Sequence, residues 1–489
     1  VMADLNLASA YDITTDLWME VLWRQVRGRR TTEGMVFRSD DTDGEARRAI
    51  ALYRHLNDMH WNVFRVSDDQ PANSALESFA KIRAAERRVS VPSYYASRLE
   101  APGPLYPQLT LKVVMIAFDS LAAITNAACQ RLKDTQAAIG SGEAPGITLG
   151  PLQWACVYTR SSLIAFIGNH TGLAAAASGE LLDFLTLGRQ RVTEKLRPRD
   201  DAWSAPLVAL SPSFARGEAC IALMVHPLRC GSLLRLTDIW LQRLGFNLDF
   251  RGTGFEAYAR ARLEALCHHS SLTLYARVFA RDFKFIDSDR KEQQIDLLLV
   301  IGNKLMVGEL KCLLAPPGPV EWSYHAGKVA WAAQQALVRI SAIRRSMPQF
   351  MARARQLGFT VPDQFELLPV VVLNHAIGTG QTVGDVPVVD LRMLETFFHG
   401  RLRRFEIFKG NESVEQGPNT AFYASAVDAA EAFAHYLRHP PQLAHLQDKV
   451  IARLFPTSAS EIEPPLFWTE RFSVDGAAVF HEAMAARGD

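Results

Sequence analysis

The chain has 489 residues, 48% hydrophobic and 21% charged, and its 53 Lys+Arg nearly cancel its 52 Asp+Glu. That composition excludes a disordered chain, a collagen-like repeat and a small disulfide scaffold, and it leaves room for about two to four domains. A formal net charge of +1 excludes a uniformly basic nucleic-acid coat, so any nucleic-acid site has to be a local patch.

The six cysteines, Cys129, Cys156, Cys220, Cys230, Cys267 and Cys312, form no CxxC pair. This argues against a zinc ribbon or a thiol redox pair and for buried thiols in a reducing, cytoplasmic setting. The first residues carry Asp4, Asp12 and Asp16 and read as no secretory leader. The longest apolar stretches, Val113–Cys129 and Leu163–Ala177, are interrupted by Asp119 and by Asn169-His170. Both are expected to be buried helices, with no membrane partner.

In chain order, Asp16–Val26 has helical apolar spacing after Thr14-Thr15, and Arg24, Arg27, Arg29 and Arg30 follow as a basic cluster. Leu111–Ala138 is a long alanine-rich helical run that ends in the Gly/Pro-rich Ile139–Gly146. Helical patterns resume at Gln153 and at Glu180–Leu187. Residues 1–245 therefore read as a mostly helical region with a sub-boundary at 139–151. They contain no catalytic motif, and substrate selection, regulation or assembly is the expected role.

The character changes near Gly245-Phe246. A helix over Gly252–Leu266 precedes three strand patterns, Leu272–Ala280, Gln294–Ile301 and Leu305–Cys312, the last two joined by the turn Gly302-Asn303. Ala315–Pro319 ends the third strand, His325–Arg345 is a strong amphipathic helix, and Leu367–Leu373 and Val386–Val389 are short buried strands. A break at Gly410–Asn419 sets off a C-terminal helical extension, 410–489, whose clear helix is Ser425–Arg438.

The turn pairs Ile301 with Lys304 and, counted outward, Asp296 with Glu309. Directly opposed residues hold their Cβ atoms about 4.5–5.5 Å apart. Lys311 lies two residues beyond Glu309 and shares its face. Opposed carboxylates among Ile, Leu and Val repel each other and are costly to desolvate. A shared proton, a salt bridge to Lys311 or a bound divalent cation would each relieve the conflict. Oxygen-only ligands suit Mg²⁺ or Mn²⁺. The plain alternative is an edge ion-pair cluster; the metal site is the preferred reading.

Ile295-Asp296, the hairpin and Glu309-Leu310-Lys311 resemble the PD-(D/E)xK, or restriction-endonuclease-like, superfamily. Gly252–Glu256, opening a helix, is similar to that family's first-helix glutamate region, and Gln335 to a glutamine on the helix after the motif. The resemblance covers about residues 246–400. It implies an αβββαβ mixed sheet flanked by helices (a nuclease-like domain at 246–409) within an α+β chain. It further implies a Mg²⁺-dependent hydrolase cutting phosphodiester bonds, usually in DNA. Asp296 and Glu309 would be metal ligands, Lys311 would assist the attacking water, and Glu256 would help hold the metal or its water. The chain departs from the family pattern in having Ile295 where proline is usual and Arg339 four residues after Gln335 where tyrosine is usual.

Lys328, Gln335 and Arg339 share one edge of their helix and could contact phosphates; for Lys328 and Arg339 a solvated face is the preferred reading. Glu256 has Arg260 at i+4, so an ordinary ion pair is also available. Arg401, Arg403 and Arg404 form a further basic cluster, while His268-His269, Asp287 and Asp289 read as structural. No phosphate-binding loop of a motor is present, so a motor or sensing function would come from a separate partner protein; a homo-oligomer is also open. The expected function is thus a metal-dependent endonuclease, on DNA, in bacterial defence or DNA processing. A catalytically inactive interaction module and an RNA nuclease are the alternatives.

Overall fold

Two units make up the chain, residues 1–57 together with 252–489, and residues 58–251. The computed structural model describes residues 15, 17–24, 26–32, 34–63, 93–140, 156–188, 203–210, 219–224, 227–228, 233–316, 318–402, 405–409, 412–416, 420–456 and 467–479.

The first unit is built on a mixed sheet of order β12-β13-β11-β10-β9-β6. Its strands are β6 (Ala276–Val278), β9 (Leu297–Ile301), β10 (Lys304–Lys311), β11 (Glu366–Leu373), β12 (Thr382–Val383) and β13 (Val386–Asp390). β6, β9 and β10 run antiparallel to their neighbours, while β10, β11 and β13 run parallel. The antiparallel step needs only the Gly302-Asn303 turn, where Gly302 takes φ 56° and a Cβ would stand 2.8 Å from Ala430. The parallel step needs a crossover, supplied by α8 (Pro319–Arg345) and α9 (Met347–Gln356).

Helix α8 explains the near-continuous apolar strands. Its Ile340 and Ile343, with Phe350 of α9, pack on Leu298, Val300, Leu305 and Val307. Its Val329, Ala332, Ala333 and Ala336 pack on Val371, Leu373, Val386 and Val388. The opposite face holds Leu297, Leu299 and Met306, also buried. A strand covered on both sides has no polar face to alternate with.

Several sequence expectations change here. The expected strand Gln294–Ile301 is two: β8 (Glu292–Ile295) and β9, separated by a bend at Asp296. β8 pairs with β7 (Phe283–Ile286) in a hairpin that short, weakly patterned strands concealed. Only Ala276–Val278 of the expected strand Leu272–Ala280 is extended. Helix α8 begins at Pro319 rather than His325, because proline is tolerated at the first helical position and Gly318 is extended before it.

A second sheet, of order β1-β2-β19-β18, joins distant parts of the chain. The basic cluster forms β1 (Val26–Thr31), paired with β2 (Gly34–Ser39). β2 runs parallel to β19 (Phe467–Val474), which pairs with β18 (Val450–Pro456). Residues 1–245 are therefore not one helical region, and the tail is not simply a helical extension. α1 (Thr42–Val63) follows β2, and α10 (Leu391–Phe398), α11 (Ala426–Arg438) and α12 (Pro441–Gln447) complete the larger helices of this unit's second half. A hairpin of β15 (Phe405–Lys409) and β16 (Glu412–Gln416) begins before the expected break and runs into it. Arg403 and Arg404 lie outside the described residues.

The second unit, 58–251, contains α3 (Leu111–Gly140), α4 (Arg160–Thr171), α5 (Ala175–Phe184) and α6 (Leu233–Arg243). It also holds a three-stranded sheet, β3-β5-β4 (Cys156–Thr159, Cys220–Leu223, Leu207–Ala209). Leu163–Ala177 is two helices, parted by Gly172 in the left-handed region at φ 76°. The Leu111–Ala128 window of α3 is long and apolar enough to cross a membrane, and half of it is buried inside the protein. Asp238, buried in α6, accepts a hydrogen bond from Tyr95 Oη at 2.8 Å and pairs with Arg251 at 2.6 Å. Burial still raises its pKa above the ordinary carboxylate value. Residues 141–155, which hold most of the expected sub-boundary and the helix start at Gln153, lie outside the described residues.

Candidate active site

Strand β10 delivers two of the candidate side chains. Leu305 and Val307 point under α8, and strand alternation puts Glu309 and Lys311 on that same face where the apolar packing ends. Glu309 is 5% exposed. Lys311 Nζ lies 2.7 Å from Glu309 Oε1 and 5.0 Å from the ring centroid of Trp331 on α8.

The expected register holds through Gly308 opposite Leu297, where the ladder stops. Asp296 comes next, at the bend rather than within a strand. Its Oδ2 accepts the Leu310 amide at 3.2 Å, so the carboxylate closes the end of the ladder beside Glu309. Its backbone carbonyl accepts from Arg260 Nη1 at 2.7 Å.

Arg260 belongs to α7 (Phe250–His269), which also carries Glu256. The sequence offered Arg260 as a plain partner for Glu256, but that separation is 4.0 Å, whereas Asp282 lies 2.9 Å from the same guanidinium. Arg260 thus ties α7 to the Asp296 bend and leaves Glu256 half-buried next to the other carboxylates.

The electrostatics record the convergence. Burial, then the negative charges of Glu309 and Glu256, push Asp296 up to about 7; the Leu310 amide and Lys311 offset this in part. Glu256 is also raised, first by burial, with Arg260 and Lys311 opposing and Asp282 and Glu309 reinforcing. Glu256, Asp296, Glu309 and Lys311 therefore act on one another as a single cluster.

The α8 candidates divide. Gln335 follows Trp331 by one turn, and its Oε1 is buried without a hydrogen-bond partner. Arg339 Nη1 donates to Gln293 Oε1 on β8 at 3.1 Å, which occupies it structurally. Lys328 is exposed. Asp287 is a loop brace, accepting from the amides of Asp289 and Lys291 and from Gln293. His268 and His269 are exposed at the end of α7.

Sequence reasoning missed Trp331, although its i+4 relation to Gln335 placed it on the right stripe, and it missed a trio of histidines. His55 on α1 and His325 on α8 each stand 5.4 Å, ring to ring, from His375 after β11. The Nε2 atoms of all three are buried without partners. Burial lowers His55 to about 4, against a small upward pull from Asp390, and lowers His325 to about 4. His375 falls well below the ordinary value through burial and its two imidazole neighbours. The trio is neutral around pH 7.

Among the described residues, no group of three or more His, Cys, Asp and Glu is placed to hold a metal ion. At the cluster Asp296 Oδ2 accepts the Leu310 amide and Glu309 Oε1 accepts from the Lys311 ammonium, so the acids there present oxygen donors alone. Two carboxylate oxygens fit Mg²⁺ or Mn²⁺, which keep several waters, better than they fit zinc. Comparison with protein-family models, curated proteins and solved structures finds no match to the chain.

Proposed function

We propose that the chain is a divalent-metal-dependent nuclease of the restriction-endonuclease-like kind, working on phosphodiester bonds, in the first instance of DNA. The observation that carries this reading is the gathering of Glu256, Asp296, Glu309 and Lys311 at the end of an apolar hairpin, with Asp296 held at about 7. The order helix, antiparallel meander, crossover helix, parallel strands agrees with it. Asp296 and Glu309 would hold the cation, and a bound Mg²⁺ or Mn²⁺ would supply Lewis-acid polarisation of a phosphoryl oxygen. The Lys311 ammonium orients water and offsets negative charge growing on the phosphate. Glu256, half-buried and raised by burial, would help hold the metal or its water at the rim of the cluster. Arg260 keeps the Asp296 bend in place. Cys156, Cys220, Cys267 and Cys312 are in no disulfide, which suits a reducing, cytoplasmic setting.

A second reading rests on the Lys311–Glu309 and Arg260–Asp282 pairs, which compensate charge internally. Under it the unit is an inactive interaction or assembly module. One experiment separates the two: cleavage of supercoiled, linear and single-stranded DNA and of RNA, with Mg²⁺, with Mn²⁺ and with EDTA, alongside thermal melts with Mn²⁺. The nuclease reading expects metal-dependent cleavage and a Tm raised by Mn²⁺. No cleavage of any substrate and no Mn²⁺ effect on Tm would overturn it.

A further inference from the structure

Two large aromatic rings stand in water on α8. Tyr324 is 64% and Trp331 56% exposed, seven residues apart on one face of the helix. Seven residues span about 10.5 Å of axis. Trp23, 43% exposed, adds a third ring 6.3 Å from that of Tyr324. Between the two α8 rings, Lys328 is exposed, and Gly327 has open space where a Cβ would stand. Past Glu321 the helix carries no further acid, whereas Lys328, Arg339, Arg344 and Arg345 follow. The Lys311 ammonium against Trp331 makes this face continuous with the acidic cluster. One turn beyond Trp331 lies Gln335, whose buried Oε1 lacks a partner.

We infer that this face of α8 binds an unpaired polynucleotide strand, its bases stacked on Trp331 and Tyr324 and its phosphates near Lys328, and leads it to the cluster at Lys311. The inference rests on the nuclease reading and gives it a substrate class, single-stranded nucleic acid. Exposed rings offer π-faces that every unpaired base can use, whereas paired bases present only their edges. About 10.5 Å accommodates roughly three bases at ~3.4 Å each. Lysine between and beside the rings matches the charge of a strand better than that of an apolar partner helix, the other occupant that seven-residue spacing would suit.

The test uses the full chain in EDTA, so that binding is read without cleavage. The probes are fluorescein-labelled oligothymidylate, oligouridylate and a short DNA duplex, followed by anisotropy. Wild-type protein should bind both single strands more tightly than the duplex, with the two arms giving the preferred sugar. Trp331→Ala and Tyr324→Ala should each weaken single-strand binding roughly 5- to 100-fold, and Trp331→Phe should restore most of it. Unchanged affinity in both alanine variants, equal or tighter duplex binding, or no binding of any strand would overturn the inference. A dimer that dissociates on Trp331→Ala, with oligonucleotide affinity unaltered, would also overturn it in favour of a second copy on this face. Cleavage in Mg²⁺ is scored separately. Ring-dependent strand binding without cleavage would count against the active site alone, and cleavage with ring-independent binding would count against the strand path alone.

Discussion

Helix α8 borders two buried clusters of titratable groups that meet the cost of burial in opposite ways. Around Glu309, charges are kept: carboxylates repel one another, Lys311 compensates one of them, and Asp296 rises to about 7. Around His375, charge is abandoned: three imidazoles stay neutral, with His55 and His325 at about 4. Neutral rings can be packed once and left alone, although each leaves an unpartnered Nε2. A cluster that retains charge must hold it against desolvation, and it is the one with something to offer a cation or a phosphate.

The largest effect that would break this contrast is on activity. Lys311→Ala should lower cleavage by about 100- to 1000-fold with most metal binding retained, because a protonated amine is no ligand. Asp296→Ala should lose both. Calorimetric Mn²⁺ titration and cleavage of the best wild-type substrate check the pair; full activity in Lys311→Ala would remove the lysine from the chemistry.

Acid should expose the histidine trio. His55 and His325 have folded values near 4 against an ordinary 6.5, so the unfolded chain binds the extra protons between those limits. Stability is fully present above 6.5 and is lost as pH falls through 4, at about 1.4 kcal/mol per pH unit for each group. His325→Leu should flatten the dependence by one such slope. Denaturation midpoints across this range measure it, and an undiminished slope would contradict neutral burial.

Asp296 has the opposite sign. Its folded value of about 7 lies above an ordinary 3.8, so its contribution is present below 3.8 and lost as pH rises through 7. Asp296→Asn should therefore stabilise the metal-free protein at pH 8 by roughly 1–3 kcal/mol and change little near pH 4. Its amide oxygen can still accept the Leu310 N–H. A loss of stability at pH 8 would show the carboxylate to be structural.

The smallest effect is expected at Glu256. Its separation from Arg260 is 4.0 Å and burial raises its carboxyl, so Glu256→Gln should move stability by less than about 0.5 kcal/mol, toward a gain rather than a loss, while lowering cleavage. A larger stability loss would move Glu256 to the structural side of the comparison.

The legible part of the site was local. A two-residue turn sets the pairing count, and strand period two puts Glu309 and Lys311 on one face; both follow from residues close in sequence. The bend at Asp296 was not legible, because it depends on Arg260 reaching a carbonyl 36 residues away. Nor were the histidines, since His55, His325 and His375 come together only through tertiary packing of α1, α8 and the segment after β11. The pairing of β2 with β19 has no local signature, so in the sequence alone the early segment reads as helical and the tail as a separate extension. Trp331 carries no signal of its own in the sequence, because an apolar residue on a long helix is ordinarily core; exposure gives it meaning.

The pairing of β2 with β19 also sets an order of events during synthesis. Residues 58–251 are contiguous and can pack as soon as they emerge, whereas the sheet that holds β1 and β2 waits for Phe467–Val474. At about 5–20 residues per second, the roughly 220 residues between Arg251 and Val474 take some 10–45 s to make. Through that interval β2 lacks its later neighbour, an open strand edge available to other chains. Exposed Arg27, Arg29 and Arg30 on the adjoining β1, with Asp40 shared between the first two, leave net positive charge on any second copy that approaches, and so discourage edge-to-edge association until β19 arrives.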